Sequence, residues 1–429
     1  MTKTFKLFKD IFSIYKQSKL LFVELFLLFF MIASLPSIEA PKNIFLVLFV
    51  MVAFIRQVKT NLFKAWDSWD WIFSIIILSA FLSTIFAGIS PGDEWDGFRV
   101  LLTFISVGWL VSRSNYSIRQ LSWIFYLIIF STLPPLVFAY WEVLISHTRT
   151  ALELHSVGHV NHSAIYLTII FGASFGLFLA SCNALSFTRK VSLTLFFLAI
   201  LFYSSIIFGQ SRAALGISFL IAILLVKFSL NSKKIKLISL CSILLITASI
   251  VLFNAPVIHK NSVDIKNNDV LAGRSKIWNT TVESARLSPY LGIGIDNRAF
   301  VSISDIKKSI EARNEYFDES LYDFHNKHSH SFYLTNIAER GILGSLVTIQ
   351  FILMWIIFLK KTFQLSSSTT EGSFFWSGSF SSFLATFGIG FVNTTFHHEH
   401  GILACLFLGL HIAFVNTHRS KFKKLPAPQ

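Results

Sequence analysis

Cysteine and charged residues are scarce in this sequence. Cysteine occurs three times in 429 residues, and Lys, Arg, Asp and Glu together make up only 14%. Cys182, Cys241 and Cys405 stand far apart in apolar runs, which is typical of small buried hydrophobic residues rather than of disulfides or a cysteine metal cluster. Hydrophobic residues make up 53% of the chain, with 47 Phe. No soluble domain needs that much apolar surface, so the composition favours a membrane protein.

Continuous apolar runs near the length of a bilayer span recur along the chain. Such runs cross lipid as helices, because a helix pairs its own backbone groups and lipid cannot. We therefore predict an all-α, polytopic integral membrane protein with about 12 transmembrane helices. The predicted spans are 20–37, 43–55, 71–89, 98–111, 121–140, 162–182, 191–208, 213–230, 237–253, 332–359, 374–393 and 402–414.

The spans divide the chain into three predicted regions. Residues 1–253 hold the first nine spans, residues 254–329 form one large polar loop with short helices, and residues 330–429 hold the last three spans and a short tail. The net charge is +14, and the basic residues cluster at span ends, as in membrane proteins, so no nucleic-acid partner is expected. A cytoplasmic N-terminus leaves few cations in the short outer segments: Lys42, Arg99, Arg149 and Arg212. This bias predicts that both termini are cytoplasmic and that the large loop faces outward.

A histidine stands directly before the tenth predicted span, in His325-Asn326-Lys327-His328-Ser329-His330-Ser331. A neutral imidazole can accept a proton near neutral pH, so His330 at a helix start suits a general base. A surface histidine that caps the helix is the alternative. Other histidines on the predicted outer side are His325, His328, His397, His398 and His400. Their spacing matches no standard zinc pattern, so we predict no metal.

Two arginines on the predicted outer side are candidates for binding an anion. Arg212, in Gly209-Gln210-Ser211-Arg212, occupies a short outer connector, where the positive-inside rule disfavours arginine. Arg274, in Gly273-Arg274-Ser275-Lys276-Ile277-Trp278, precedes a stretch with the pattern of a short amphipathic helix on the membrane surface. Two outward arginines could grip a diphosphate in bidentate fashion, although Arg274 alone could be a solvated surface residue.

Two further motifs lie on the same side. Asn161 and His162 open a predicted span, where they line the same site or, in the case of Asn161, cap the helix. Residues 289–294 read Pro-Tyr-Leu-Gly-Ile-Gly, and this Gly-x-Gly follows no predicted strand. A tight turn is therefore the better interpretation than a dinucleotide site.

The order and topological placement of these motifs resemble those of the bacterial O-antigen ligase family. The matching elements are His330-Ser331 followed by Gly341 and Gly344, Ser211-Arg212, Gly273-Arg274 followed by Trp278, and Pro289, Gly292 and Gly294 followed by Phe300. The layout of 12 predicted spans, with one large loop between the ninth and tenth, is similar to that of the family as well.

The resemblance implies a GT-C-like glycosyltransferase in the inner membrane of a Gram-negative bacterium, without a metal or cofactor. Such an enzyme transfers O-antigen polysaccharide from undecaprenyl diphosphate to a sugar hydroxyl of lipid A–core at the periplasmic face, with inversion. His330 would be the general base, and Arg212 and Arg274 would bind the diphosphate. Secondary roles would fall to Ser211, Asn161, His162, His328 and His398. The partners would be the two lipid-linked glycans and the membrane lipids.

Three other functions remain open from the sequence. An O-antigen or exopolysaccharide polymerase uses the same donor with a growing glycan as acceptor, and a protein O-oligosaccharyltransferase uses a Ser or Thr acceptor. A polysaccharide transporter is less expected, because the spans hold few charges at mid-depth and the halves of the chain do not repeat.

Overall fold

The structure, a computed structural model, describes residues 18–62, 65–155, 157–184, 187–229, 273–326 and 328–422. Within these ranges the regular elements are helical and no strand occurs. The α-helices are α1 (Lys19–Ser34), α2 (Glu39–Lys59), α3 (Ser68–Ile85), α4 (Glu94–Ser112), α5 (Ile118–Ser131), α6 (Leu133–Leu144), α7 (Val160–Asn183), α8 (Arg189–Phe208), α9 (Arg212–Ser229), α10 (Arg274–Leu287), α11 (Ile303–Glu311), α12 (Phe332–Ser367), α13 (Thr370–Ile389) and α14 (His398–Phe422).

Every predicted span within the described residues overlaps one of these helices, while the predicted span 237–253 lies outside them. Among the described residues, seven helices are long and apolar enough to cross a membrane, with α5 and α6 counted together: Glu39–Lys59, Ser68–Ile85, Ile118–Leu144, Val160–Asn183, Arg189–Phe208, Phe332–Ser367 and His398–His418. The all-α, multi-pass membrane class is therefore confirmed. The number of spans, the three-region division and the GT-C-like architecture stay predictions.

Two predicted spans differ from the helices in an informative way. The predicted span 121–140 is divided between α5 and α6, because Pro134 and Pro135 lack the N–H groups that a continuous helix needs. The prolines instead occupy the first turn of α6, where no such donor is required. The predicted span 332–359 belongs to the longer helix α12, which is kinked at Gly341.

The centre of the bundle is formed by α7 and α14, which are buried along most of their length. Helix α7 packs against α8, α9 and α13, and α14 packs against α4 and α13. Small residues allow these close contacts: a Cβ on Gly409 of α14 would lie 2.5 Å from the carbonyl oxygen of Gly108 of α4. The buried apolar side chains of the bundle form one continuous core.

A buried ion pair joins α1 to α2 at one end of the bundle. Glu24 is fully buried and accepts hydrogen bonds from Arg56 and from the hydroxyl of Tyr116. Arg56 also donates to the carbonyl oxygen of Ser114 at 2.8 Å. These partners satisfy a charge that would otherwise be costly in an apolar surrounding, so the burial of Glu24 is explained by its structural contacts.

The segment before α12 packs onto the opposite end of the bundle. Its helix α10 contains the amphipathic stretch predicted from the sequence and packs against α12 and α11. A small second core beside it consists of Ile293, Val301, Ile306 and Ile310. This packing brings the polar segment into contact with the helix that follows His330.

Candidate functional site

The kink in α12 is the point where residues 289–294 pass beside the helix. Backbone hydrogen bonds join the two from Ile293 to Ala338 (2.9 Å), from Gly294 to Glu339 (3.1 Å) and from Ile342 to Pro289 (2.9 Å). A Cβ on Gly292 would lie 2.2 Å from the carbonyl carbon of Glu339, so glycine is required for this approach. The N–H of Gly292 donates to Ser288 at 2.9 Å, which confirms the tight turn predicted for the Gly-x-Gly element.

A buried arginine that the sequence analysis missed holds the loop leading to His330. Arg298 is 4% exposed and donates to backbone carbonyl oxygens of Asn326, Asp323 (3.2 Å) and Ile277 (3.4 Å). It also donates to the hydroxyl of Thr281 on α10 at 3.0 Å. Hydrogen bonds to a charged group are stronger than neutral ones, so this arginine fixes the loop against α10.

The Asp323 side chain organises the same loop from within. Its carboxylate accepts from the backbone N–H groups of His325 (2.8 Å) and Asn326 (3.2 Å), and from the Asn326 amide (2.8 Å). The N–H of Asp323 donates to Thr280 on α10 at 2.9 Å. Both ends of this short turn are therefore anchored, a few residues before His330.

His330 itself has a strained backbone. Its φ is +50°, in the left-handed region that non-glycine residues rarely adopt. The residue that caps α12 is Ser331, whose hydroxyl accepts from the N–H of Leu334, so the capping alternative for His330 is wrong. Strain of this kind persists only where the surroundings enforce it, and it is frequent at functional sites.

The surroundings of His330 keep its ring neutral. Burial, then the positive charge of Arg274 and the neighbouring His328, lower the pKa of His330 from 6.5 to about 4. A ring that is neutral at physiological pH has a nitrogen lone pair that can accept a proton. His330 therefore meets the protonation requirement for a general base.

Arg212 lies near enough to Arg274, and Arg274 near enough to His330, for each charge to act on its neighbour. Arg212 is the first residue of α9 and is exposed, and Arg274 is the first residue of α10, after Gly273 with φ +74°. Burial and the positive charge of Arg212 lower the pKa of Arg274. Because Arg274 also acts on His330, these three residues from separate elements occupy one electropositive region. Like charges held together in this way favour an anion between them.

Histidines from three segments gather beside this region. The ring centroids are 6.1 Å apart for His159 and His162, 6.2 Å for His162 and His398, 5.2 Å for His162 and His400, 5.8 Å for His328 and His397, and 3.7 Å for His397 and His398. We call these residues, with His330, the histidine cluster. The cluster contains His162, His328 and His398, which the sequence analysis proposed as secondary site residues.

Two other secondary candidates have more limited roles. His159, rather than Asn161, is the cap of α7, because its ring accepts from the N–H of Asn161 at 3.2 Å. The capping alternative for Asn161 is therefore wrong. Ser211 is buried directly before Arg212, and its carbonyl oxygen accepts from the N–H of Leu215, so it belongs to the start of α9.

Despite the number of histidines, no group of three His, Cys, Asp or Glu residues within the described ranges is arranged to hold a metal ion. Burial, and then the positive charge of the neighbouring His398, lower the pKa of His397 well below its usual value. The prediction that the site needs no metal stays a prediction for experiment.

A polar group in the first turns of α12 also escaped the sequence analysis. Arg340 is 7% exposed and donates to Asn336 (3.1 Å) and to Ser79 of α3 (2.6 Å). Arg340 and Asn336 are spaced by one helical turn in the sequence, which is a local signal, but the contact with Ser79 joins residues far apart in the chain. The signal in the sequence that could have identified Arg340 was its charge within an apolar helix.

One comparison with known proteins gives a match. Residues 177–349 match the family model Wzy_C, described as O-Antigen ligase. The matched stretch is less than half of the chain and contains Arg212, Arg274 and His330. A comparison with curated proteins found no match to the chain.

Proposed function

We propose, on the support of the match between residues 177–349 and the O-antigen ligase family model, that this chain is a glycosyltransferase of that family acting on lipid-linked glycans. The proposed donor is O-antigen polysaccharide on undecaprenyl diphosphate, and the proposed acceptor is a sugar hydroxyl of lipid A–core. The reaction takes place at the periplasmic face of the bacterial inner membrane. The observation that supports it most strongly is the electrostatic coupling of Arg212 with Arg274 and of Arg274 with His330, contributed by three separate elements.

The proposed chemistry is a single displacement at the anomeric carbon of the donor. The neutral ring of His330 takes the proton of the accepting hydroxyl as its oxygen attacks the anomeric carbon. The bond from that carbon to the diphosphate oxygen breaks, and undecaprenyl diphosphate leaves with the electron pair. Arg212 and Arg274 bind the diphosphate and stabilise the negative charge that develops on it. Direct attack inverts the anomeric configuration.

The donor itself adjusts the strength of the base. A histidine with a pKa of about 4 accepts protons poorly at neutral pH. When the diphosphate binds beside Arg274, its negative charge offsets the arginine charge that disfavours protonation of His330. The part of the shift that Arg274 causes is then reduced, so the pKa of His330 rises and the base is stronger once the donor has bound.

The test is in vitro transfer by the purified protein, with undecaprenyl-diphosphate-linked glycan as donor, lipid A–core as acceptor and no ion gradient. We expect transfer by the wild type and none by a correctly folded His330→Ala variant. His325→Ala is the matched control, since His325 lies exposed in the same loop. Chain growth with the donor alone would instead assign a polymerase, and full activity of His330→Ala would reject the general-base role. Glycan transfer to a peptide Ser or Thr, or an absence of any transfer, would favour the protein-acceptor or transport function.

A further inference from the structure

A groove runs along α12 from Leu346 toward the end of the helix that lies farther from His330. Its lining on α12 includes Leu346, Leu353, Ile357 and Lys361, which recur at the spacing of one helix face. The start of α3 and the later turns of α14 form the other walls. The groove holds ≈ 670 Å³, within the range of roughly 300–1,000 Å³ typical of small-molecule sites. We call it the α12 groove.

The body of the α12 groove is apolar and open to the surroundings of the bundle. Leu346 is 61% exposed, Leu353 52% and Ile357 50%. Since α12 is long and apolar enough to cross a membrane, these side chains face lipid. At about 1.5 Å per residue, the stretch from Leu346 to Lys361 is roughly 22 Å long. This length exceeds half of a hydrocarbon core of about 30 Å, so an acyl chain of one membrane leaflet fits along it.

Polar groups gather at one end of the α12 groove. Trp69, near the start of α3, lies beside Phe358 of α12, with their ring centroids 5.2 Å apart. Phe358 precedes Lys361 by about one helical turn, and Asp67 and Ser68 directly precede Trp69. All of these residues line the groove. An ammonium, a carboxylate and a hydroxyl therefore meet at this end, and the groove has the polar head and apolar body of an amphiphile site.

Charges of both signs at this end select the headgroup. Lys361 is positive and Asp67 negative, and both are exposed. Oδ1 of Asp67 caps α3 through the N–H groups of Trp69 (2.7 Å) and Asp70 (3.1 Å), and Oδ2 takes no part in this cap. A purely anionic headgroup would be repelled by the carboxylate, and a purely cationic one by the lysine. A phosphate beside Lys361 and a primary ammonium beside Asp67 match both charges, and the ammonium can also donate to the Ser68 hydroxyl.

The position of this polar end separates it from the candidate site. Helix α12 begins at Phe332, two residues after His330, whereas Lys361 lies roughly 40 Å further along the helix at about 1.5 Å per residue. A hydrocarbon core of about 30 Å fits between the two ends. A lipid whose diphosphate binds Arg212 and Arg274 therefore cannot place that diphosphate beside Lys361. The occupant belongs to the other membrane face and is not the proposed donor.

We propose that the α12 groove binds one membrane phospholipid whose headgroup carries a phosphate and a primary ammonium, as phosphatidylethanolamine does. The phosphate contacts Lys361, the ammonium contacts Asp67, and an acyl chain lies along Leu353 and Ile357. The bound lipid contacts α3, α12 and α14 together, so it stabilises their packing. This site is separate from the proposed transfer reaction, and its test does not require that reaction.

The test is a lipid titration of the full chain in detergent, followed by native mass spectrometry. The probes are phosphatidylethanolamine, phosphatidylglycerol and phosphatidylcholine with identical acyl chains. We expect one phosphatidylethanolamine to bind about 10-fold more tightly than either other lipid. Lys361→Gln and Asp67→Asn should each weaken its binding about 10-fold, the effect of one charge-assisted hydrogen bond, and asparagine retains the helix cap. Leu353→Trp, at an exposed position, should weaken the binding of all three lipids by filling the groove.

Two matched controls lie on α12 outside the lining of the groove. Lys360→Gln removes the neighbouring exposed lysine, and Ile356→Trp places the same ring at an exposed position on another face of the helix. Both should bind phosphatidylethanolamine like the wild type. Equal wild-type affinity for the three lipids would overturn the headgroup assignment, and wild-type binding by all three groove variants, or an equal loss in the controls, would overturn the site. Displacement of phosphatidylethanolamine by equimolar undecaprenyl diphosphate would assign the groove to the polyprenyl carrier instead. Thermal unfolding without added lipid verifies that each variant is folded.

Discussion

Gly341 lies so close to Tyr290 that a Cβ on the glycine would be 2.5 Å from the carbonyl carbon of Tyr290. The φ of Gly341 is +62° and its ψ is −162°, a conformation that is costly for any residue with a side chain. This contact explains in physical terms why the family-like motif that begins at His330 contains a glycine at this position. The kink lets residues 289–294 pack against the helix that begins beside His330.

We therefore expect Gly341→Ala to lower the free energy of unfolding by about 2 kcal/mol or more, through backbone strain and the clash with Tyr290. Transfer activity should fall with it. Thermal unfolding in detergent and the transfer assay would measure both effects. Gly216→Ala is the control, since a Cβ on Gly216 in α9 would have no neighbour within 4 Å. That variant should be neutral or more stable by about 0.5–1 kcal/mol. Equal stability of the two variants would contradict the explanation.

The pH dependence of transfer should separate the free enzyme from the donor complex. Since the pKa of His330 is lowered to about 4 in the free protein, the acid limb of kcat/KM should lie near that value rather than near 6.5. The acid limb of kcat should lie at higher pH, because the bound diphosphate offsets the charge of Arg274. Coincident limbs near 6.5 would show that neither burial nor Arg274 controls this histidine.

The same shift in the pKa of His330 has a consequence for stability. Between pH 6.5 and about 4 the unfolded chain binds a proton at this position that the folded protein does not. The contribution of His330 to stability is therefore fully present above pH 6.5 and is lost as the pH falls toward 4. His330→Ala should show a weaker loss of stability over this window than the wild type in denaturant titrations.

The arginine pair should not tolerate lysine. Arg212→Lys and Arg274→Lys retain the charge but lose the planar, two-pronged donor geometry that fits a diphosphate, so we expect each to lower kcat/KM for the donor about 10-fold or more. The kinetics should be measured with donor varied at saturating acceptor. Arg286→Lys is the control, because Arg286 lies exposed on α10 and pairs with Glu283. Full activity of both site variants would reject bidentate binding of the diphosphate.

Arg298 is expected to act on the reaction by positioning His330. Arg298→Met would leave the carbonyl oxygens of Asp323, Asn326 and Ile277 without this donor and loosen the loop, so kcat should fall by about 100-fold. The KM for the donor should change less than kcat, since the hydrogen bonds of Arg298 go to the loop before His330 and to α10. A fall in stability alone, with kcat unchanged in the folded fraction, would assign a purely structural role. Arg286→Met is the matched control for loss of an arginine in this segment.

Transfer should persist when metals are removed. The described histidines and carboxylates hold no arrangement of three metal ligands, and the arginine pair supplies the positive charge that a metal would bring to the diphosphate. The assay in excess EDTA is therefore expected to give the wild-type rate, with EDTA already saturated with Mg²⁺ as the control. A loss that a divalent cation restores would reject this account.

Local signals in the sequence were sufficient for the helices. A run of apolar residues long enough to cross lipid must be helical wherever it occurs, so each predicted span within the described residues overlaps a helix, although 121–140 is divided and 332–359 is longer than predicted. The break at Thr132 follows from Pro134 and Pro135, a local signal that the predicted single span 121–140 overlooked. The identities of Arg212, Arg274 and His330 as candidates also came from the sequence, through their motifs and their unusual placement at span ends.

The partners of these residues were not readable in the sequence. Arg298 looked like one more charged residue of a polar loop, yet packing buries it and gives it four hydrogen bonds to residues far from it in the chain. The contact of Arg340 with Ser79 and the α12 groove depend on how α3, α12 and α14 pack. Span length and charge bias are properties of short segments, so the sequence alone determined the helical class and the candidate residues. The gathering of Arg212, Arg274 and His330 depends on many weak contacts across the whole bundle, and only the tertiary structure decided it.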